Sequence, residues 1–228
     1  MNQTPIKNVD TVSNQSTEYS EKGRTLIESL ISPTMASNLT LQIQNVINQV
    51  GDRLLAAPRV GEKPAYEIYG YKWWPMASFH FGLTHSVEAI VGKPLLPTYS
   101  FFRSYQERDI CRIHADRAAC EHSMSLTLAY GDEEPWALSV EDQRLPEDKY
   151  FKAGQEADYG GNSYADFAML PGDAVLYQGV AHRHGRLAPN PNKWSAHMFL
   201  HWVEADGPYA AEAYDGRPLQ PHGDIHFS

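Results

Sequence analysis

His114 and Asp116 stand two apart in Arg112-Ile-His114-Ala-Asp116-Arg117, and a further histidine, His184, follows in His182-Arg-His184-Gly-Arg186. In a β-strand, residues i and i+2 face the same side. The spacing therefore predicts one imidazole and one carboxylate aimed at the same point. A second imidazole from a distant strand would complete a face of two histidines and one carboxylate on a metal ion. The ion's remaining positions would stay open, which suits Fe(II) and O2 chemistry.

The tripeptide is weak evidence by itself. With ten histidines, and aspartate at roughly one residue in twenty, about half a chance match is expected. His222-Gly-Asp224 is such a second match, but it sits beside the chain end with no distant ligand to follow it. The surrounding elements favour His114.

Those elements read as helices followed by strands. Residues 1–20 are polar and predict a flexible N-terminal arm, and Arg24 to Ile31 predicts a short helix. Ser32-Pro33 marks an N-cap with proline at the first helical position. Leu39, Ile43, Val46, Ile47, Val50 and Leu54 then keep helical spacing. From Ala65 the period shifts towards two. Strands are predicted at 67–71, 98–105, 123–130, 136–140, 174–177 and 196–203. Residues 143–165 read as a long polar loop, a candidate lid over the site. Many short strands after helices predict a mainly β fold, a jelly roll or barrel buttressed by N-terminal helices. Residues 21–228 read as a single domain.

Composition narrows the function classes. A net charge of −9 opposes a nucleic-acid surface. No apolar run is long enough to cross a bilayer, and the N-terminus lacks the apolar stretch of a secretory signal. Cys111 and Cys120 are too few for a disulfide framework and are expected to be reduced and buried, as in a cytoplasmic protein. The 13 tyrosines and 5 tryptophans fit a β-rich core, an aromatic-lined pocket, or both.

Five blocks together resemble the Fe(II)/2-oxoglutarate-dependent dioxygenases. They are Thr98-Tyr-Ser-Phe-Phe-Arg103-Ser-Tyr105, Arg112 to Ser123, Pro171-Gly-Asp173-Ala-Val-Leu-Tyr177-Gln-Gly179, His184-Gly-Arg186 and Phe199-Leu-His201-Trp-Val203. Their order and spacing resemble the family across about 95–206, with the prolyl-hydroxylase-like branch the nearest comparison. The resemblance implies a double-stranded β-helix, the cupin-like jelly roll. It implies Fe(II) on His114, Asp116 and His184, with 2-oxoglutarate and O2 as co-substrates. Hydroxylation of an unactivated C–H bond would release succinate and CO2. The aspartate favours hydroxylation, or a related hydrogen-abstraction outcome such as desaturation, over halogenation, since halogenases of this family typically carry a small residue there.

The family grips the far carboxylate of 2-oxoglutarate with an arginine or lysine. Arg186 is the favoured residue here, because its planar fork matches a carboxylate, and Lys193 is the second choice. Arg103 or Tyr105, on the strand before the ligand pair, could also reach the co-substrate. Arg117, Glu121, His182, Trp73 and Trp74 are further candidates for substrate or supporting contacts. Each also has an ordinary reading as an ion pair, a core residue or a packed aromatic. His197 and His201 read as strand histidines with satisfied hydrogen bonds. The expected partner is a small molecule such as an amino acid, nucleoside or natural product, and the expected state is a monomer or homodimer.

Two other readings compete. A cupin-type dioxygenase or isomerase without 2-oxoglutarate would want His-x-His, where this chain has His-x-Asp. A non-enzymatic jelly-roll binding module would share the fold, and fold alone does not decide function.

Overall fold

A computed structural model describes residues 9–151 and 155–216. Its three α-helices all lie in the N-terminal half, interleaved with the first strands: α1 (Val9–Lys22), α2 (Pro33–Val50) and α3 (Trp74–Val91). The strands are β1 (Arg24–Ile27), β2 (Leu55–Ala56), β3 (Ala65–Tyr69), β4 (Leu95–Gln106), β5 (Cys111–His114), β6 (His122–Tyr130), β7 (Leu138–Glu141), β8 (Tyr164–Phe167), β9 (Ala174–Tyr177), β10 (His184–Arg186) and β11 (Trp194–Glu204). They form a seven-stranded sheet, in the order β1-β9-β6-β11-β4-β3-β2, and a four-stranded sheet, β5-β10-β7-β8. Every pairing is antiparallel. The mainly β architecture with N-terminal helices is as expected from the sequence.

The period of two on the large sheet separates core from site. Met124, Leu126 and Leu128 of β6, with Met198, Leu200 and Trp202 of β11, share one apolar cluster with Ala36, Leu39 and Ile43 of α2 and Met76, Val87 and Ile90 of α3. The alternate residues, among them Ser123 and Thr127 of β6 and His197 and His201 of β11, are equally buried. Val175 and Tyr177 of β9 pack with Leu138 and Val140 of β7, so the small sheet covers that second face. The helices thus seal one side of the large sheet, and the polar interior lies between the two sheets.

Several expectations are corrected. Residues 9–22 are helical rather than a loose arm; Tyr19 is buried, and its hydroxyl is 2.7 Å from His122 Nδ1. Apart from Val9, Val12 and Tyr19 the residues of this helix are polar, so its periodicity is faint. Arg24–Ile27 is an edge strand on β9, not part of a helix. Gly23, at φ 66°, ends the preceding helix immediately before it, a conformation that favours glycine. The expected cap is present: Ser32 accepts from Met35 N at 3.2 Å, with Pro33 opening α2. That helix stops at Val50, short of Leu54, where Gly51 has φ 66°. Helix α3 was missed, although Pro75 at its start and Gly92 at φ 78° after its end are ordinary helix punctuation.

The described residues of the 143–165 segment are tied down at several points. Glu156 exchanges backbone hydrogen bonds with Ile113 at 2.9 and 2.7 Å, and the buried Tyr159 donates to Ser139 O at 2.8 Å. Cys111 and Cys120 are free and buried. No helix among the described residues is long and apolar enough to cross a membrane.

A buried ion pair braces the strand that carries His184. Arg183 donates through Nε and Nη2 to the two Glu141 carboxylate oxygens at 2.7 and 2.6 Å, and Glu141 is 1% exposed. Glu141→Ala would leave the buried guanidinium with only the half-exposed Glu156 as its ion-pair partner, beside a bond to Tyr159 O, and is expected to cost about 1–3 kcal/mol, read by urea unfolding. A cost below about 0.5 kcal/mol would mean that Glu156 replaces Glu141 fully. Burial alone would raise the Glu141 carboxyl, but its bonds from Arg183 hold it below the usual range. Its contribution is therefore complete above the unfolded-chain value of about 4.3. It is lost as pH falls through the lower folded value.

Candidate metal centre

Cross-strand register brings the two histidines together. In the β5–β10 pair His114 lies opposite His184, and their ring centroids are 4.5 Å apart. β5 ends at His114. Asp116 therefore lies beyond the strand, and strand alternation is not what aims it, contrary to the sequence expectation. Its backbone N–H is anchored to Gly179 O at 2.9 Å, just before a turn at Ala118–Cys120. Its Oδ1 sits 3.7 Å from His114 Nε2 and 3.6 Å from His184 Nε2. Donors about 2.1 Å from one ion are about 3.0–3.4 Å apart in octahedral or tetrahedral geometry, so each imidazole nitrogen needs to close only slightly on the carboxylate oxygen, and all three atoms already lie within 4.8 Å of one another.

The hydrogen bonds prepare each group as a ligand. His114 Nδ1 contacts Arg112 O at 2.7 Å, and His184 Nδ1 contacts His182 O at 3.0 Å. A carbonyl only accepts, so Nδ1 carries the proton in both rings and Nε2 offers its lone pair to the centre. Ser123 Oγ donates to Asp116 Oδ2 at 2.9 Å and lies 2.9 Å from His201 Nδ1. That leaves Asp116 Oδ1 free to face the histidines. Burial would raise the Asp116 carboxyl, but His184 and His114 outweigh it and hold it well below the usual range. Burial, aided by the charge of His184, lowers His114 to about 4. His184 is raised, because Asp116 outweighs its burial.

Asp116 also stands near Cys120 and His201 in a second possible donor group. Burial pushes the Cys120 thiol far up, and Tyr99 OH is 3.2 Å from its sulfur. A neutral thiol is a poor ligand, so the His114–Asp116–His184 group fits a divalent metal better.

Gly179 marks how closely the chain packs behind the carboxylate. A Cβ there would come within 2.4 Å of Asp116 Oδ2 and 2.6 Å of Cys120 O. Gly179→Ala is expected to displace Asp116 and weaken Fe(II) binding about tenfold or more. An Fe(II) titration beside a circular dichroism spectrum checks this; unchanged affinity in folded variant would refute it.

The triad opens into a cavity of about 170 Å3 that also reaches Arg186, Arg103 and Tyr105. Arg186 is 2% exposed. It donates to Trp136 O, contacts His197 Nδ1 at 3.3 Å and lies 4.6 Å over the Trp136 ring. Among the described residues no carboxylate forms an ion pair with it. Arg103 is also buried, but Glu67 balances it at 2.5 Å. The Nε and Nη2 donors of Arg103 have no partner. An unbalanced buried cation and an orphaned guanidinium edge in one cavity fit an anionic ligand such as the carboxylate of 2-oxoglutarate. Tyr105 is buried, and burial raises its phenol.

Other predicted site residues lie elsewhere. Lys193 is 77% exposed and pairs with Asp132 at 3.4 Å, outside this cavity. The His182 ring faces Glu141 O at 3.0 Å, and only its backbone carbonyl serves the site, through His184. Glu121 accepts from Glu204 N at 2.8 Å and does not line the cavity. Arg117 covers the Tyr99 ring at 4.5 Å and pairs with Asp215 at 2.5 Å. Trp73 packs on the main core, whereas Trp74 is largely exposed on a separate groove with Tyr71 and Phe81. His222 and Asp224 lie outside the described residues.

Sequence reasoning missed the inner-face aromatics Tyr69, Tyr99, Phe101 and Phe199, which stack along the cavity wall. Alternation along β4 was the available signal for Tyr99 and Phe101. It also missed Ser123 and the unpartnered Nε2 atoms of His197 and His201, which are not fully satisfied as expected.

With two facing antiparallel sheets and helices behind one of them, the architecture is a double-stranded β-helix. No family model matches the chain, and no curated protein does. Solved structures do. SnoK, a non-haem α-ketoglutarate-dependent carbocyclase from nogalamycin biosynthesis, aligns with a TM-score of 0.71 at 14% identity, over 97% of this chain and 98% of that one. A Pseudomonas putida prolyl-4-hydroxylase aligns at 0.58 and 12% identity, over 83% and 98%. HygX from Streptomyces hygroscopicus, with nickel, 2-oxoglutarate and hygromycin B bound, aligns at 0.61 and 11%, over 85% and 87%. At these identities the likeness establishes the fold.

Proposed function

We propose that this chain is a non-haem Fe(II)- and 2-oxoglutarate-dependent dioxygenase that hydroxylates a C–H bond of a small molecule. The observation that carries the reading is the convergence of His114 Nε2, His184 Nε2 and Asp116 Oδ1 in a cavity that also holds the unbalanced Arg186. The fold's occurrence among 2-oxoglutarate-using proteins supports it.

His114, Asp116 and His184 would hold the metal, and Arg186 would hold the far carboxylate of 2-oxoglutarate. Arg103, through its free edge, and Tyr105 stand beside that position. Fe(II) would couple oxidation of 2-oxoglutarate by O2, giving succinate and CO2, to insertion of the other oxygen atom into a substrate C–H bond. The protein's own part is placement. Ser123 fixes one Asp116 oxygen, so the other has a single direction. The carbonyls of Arg112 and His182 hold both imidazoles in the ligating tautomer. The aromatic wall of Tyr69, Tyr99, Phe101 and Phe199 excludes water and offers flat faces to a substrate. HygX, with hygromycin B bound, supports a small-molecule substrate over a macromolecular one.

Carbocyclisation, the reaction of the carbocyclase SnoK, would leave a different product. Incubation with O2, 2-oxoglutarate and a panel of small molecules tests the reading, with succinate and product followed by mass spectrometry. Succinate with a product one oxygen atom heavier is expected. Succinate with a product only two hydrogens lighter would replace hydroxylation by an oxidative closure or desaturation, and no succinate from any mixture would reject the class.

A further inference from the structure

The turn that carries Asp116 has a second polar cavity on its far side. It has about 470 Å3 of space and shares no lining residue with the first. Glu121, His122 and Glu204 meet there, with donor atoms all within 4.8 Å of one another. Neighbouring residues on a strand would point apart, but Glu121 precedes β6 in a helical conformation, φ −52° and ψ −49°. Both Glu121 and His122 therefore reach the same space. Antiparallel pairing of Trp202 with His122 then carries Glu204, at the end of β11, alongside them.

The histidine is the informative member. His122 is 3% exposed, and its Nε2 has no hydrogen-bond partner. The nearest carboxylate oxygen, Glu204 Oε1, is 3.7 Å away, too far for a hydrogen bond. Tyr19 OH holds Nδ1 on the opposite side of the ring at 2.7 Å, the kind of outer partner that fixes a ligating imidazole. The charge balance is also incomplete. Lys93 reaches Glu204 Oε1 at 2.6 Å, but its side chain is 57% exposed. Glu121 makes no ion pair among the described residues, and burial raises its carboxyl.

We propose that Glu121, His122 and Glu204 form a second divalent-cation site, of the kind that takes Zn(II) through one imidazole and two carboxylates. An ion there uses the idle Nε2, neutralises both carboxylates and displaces Lys93 to solvent, while water from the cavity completes its shell. It clamps the end of β11 to the start of β6, beside the turn that presents Asp116. Its role is structural and does not depend on the reaction proposed above.

Equilibrium dialysis of untagged protein against Zn(II) tests this. His114→Ala/Asp116→Ala removes the first site. That variant is expected to keep one saturable equivalent, and Zn(II) should raise its melting temperature. Adding Glu204→Gln should weaken this binding about tenfold or more and remove the thermal shift. Adding Lys93→Ala instead should tighten binding several-fold, because a competing cation is gone, whereas an unrelated surface site would not respond. If the double variant does not fold, wild-type protein should lose one equivalent on Glu204→Gln. No saturable Zn(II) binding in the double variant, or a stoichiometry and affinity unmoved by Glu204→Gln, overturns the site.

Discussion

Asp116→Ala is expected to lower Fe(II) affinity by more than about a hundredfold and to abolish succinate formation. Losing only an orienting partner of a ligand typically costs about 10–100-fold, and this change removes a ligand and its negative charge. Two neutral imidazoles would remain, held by the carbonyls of Arg112 and His182. The backbone bond from residue 116 to Gly179 O does not involve the side chain, so the fold should survive and circular dichroism should be unchanged. Fe(II) titration and a succinate assay check the result. Retained iron affinity in folded Asp116→Ala protein would move the metal away from this triad.

Arg186→Met is expected to raise the KM for 2-oxoglutarate about a hundredfold, close to 3 kcal/mol, with a smaller effect on kcat. Truncating one member of a buried charge pair costs about 2–5 kcal/mol, and methionine keeps much of the volume over Trp136. Arg103→Met provides the comparison. Its charge is already balanced by Glu67, so its effect should be smaller, and Glu67→Gln in the same protein prevents a stranded carboxylate. Steady-state kinetics in 2-oxoglutarate separate the two. If Arg103→Met raises KM and Arg186→Met does not, the anchor is Arg103 and its orphaned Nε–Nη2 edge.

The parts of the site that depend on residue type were legible in the sequence, and those that depend on register were not. His114, Asp116 and His184 could be picked out because few side chains bind metals and their flanking blocks were in a familiar order. The expected geometry was nevertheless incomplete. Asp116 is placed by Gly179 and Ser123 beyond the end of β5; Gly179 arrives from a distant segment, and Ser123 from the start of the next strand after an intervening turn. The strands at 98–105, 123–130 and 174–177 were readable from their alternation. Alternation did not say that both faces of β6 are buried, because a serine facing a polar cavity resembles a serine facing water. Neither α1 nor α3 shows a clean apolar stripe: α1 is polar and packs through few residues, whereas α3 carries apolar side chains on its exposed face as well, Trp74 and Phe81 among them. Lys193 and Arg186 were hard to rank from spacing alone. Burial separates them, as one is solvated beside Asp132 and the other is enclosed without a carboxylate.

One cavity is expected to bind Fe(II) through the triad and 2-oxoglutarate beside it. Anaerobic addition of Fe(II) and 2-oxoglutarate to the metal-free protein tests it without knowledge of the substrate. A weak visible charge-transfer band from the chelated 2-oxo acid is expected, absent in Asp116→Ala and diminished at matched 2-oxoglutarate in Arg186→Met. A folded, iron-loaded protein that develops no such band would contradict it.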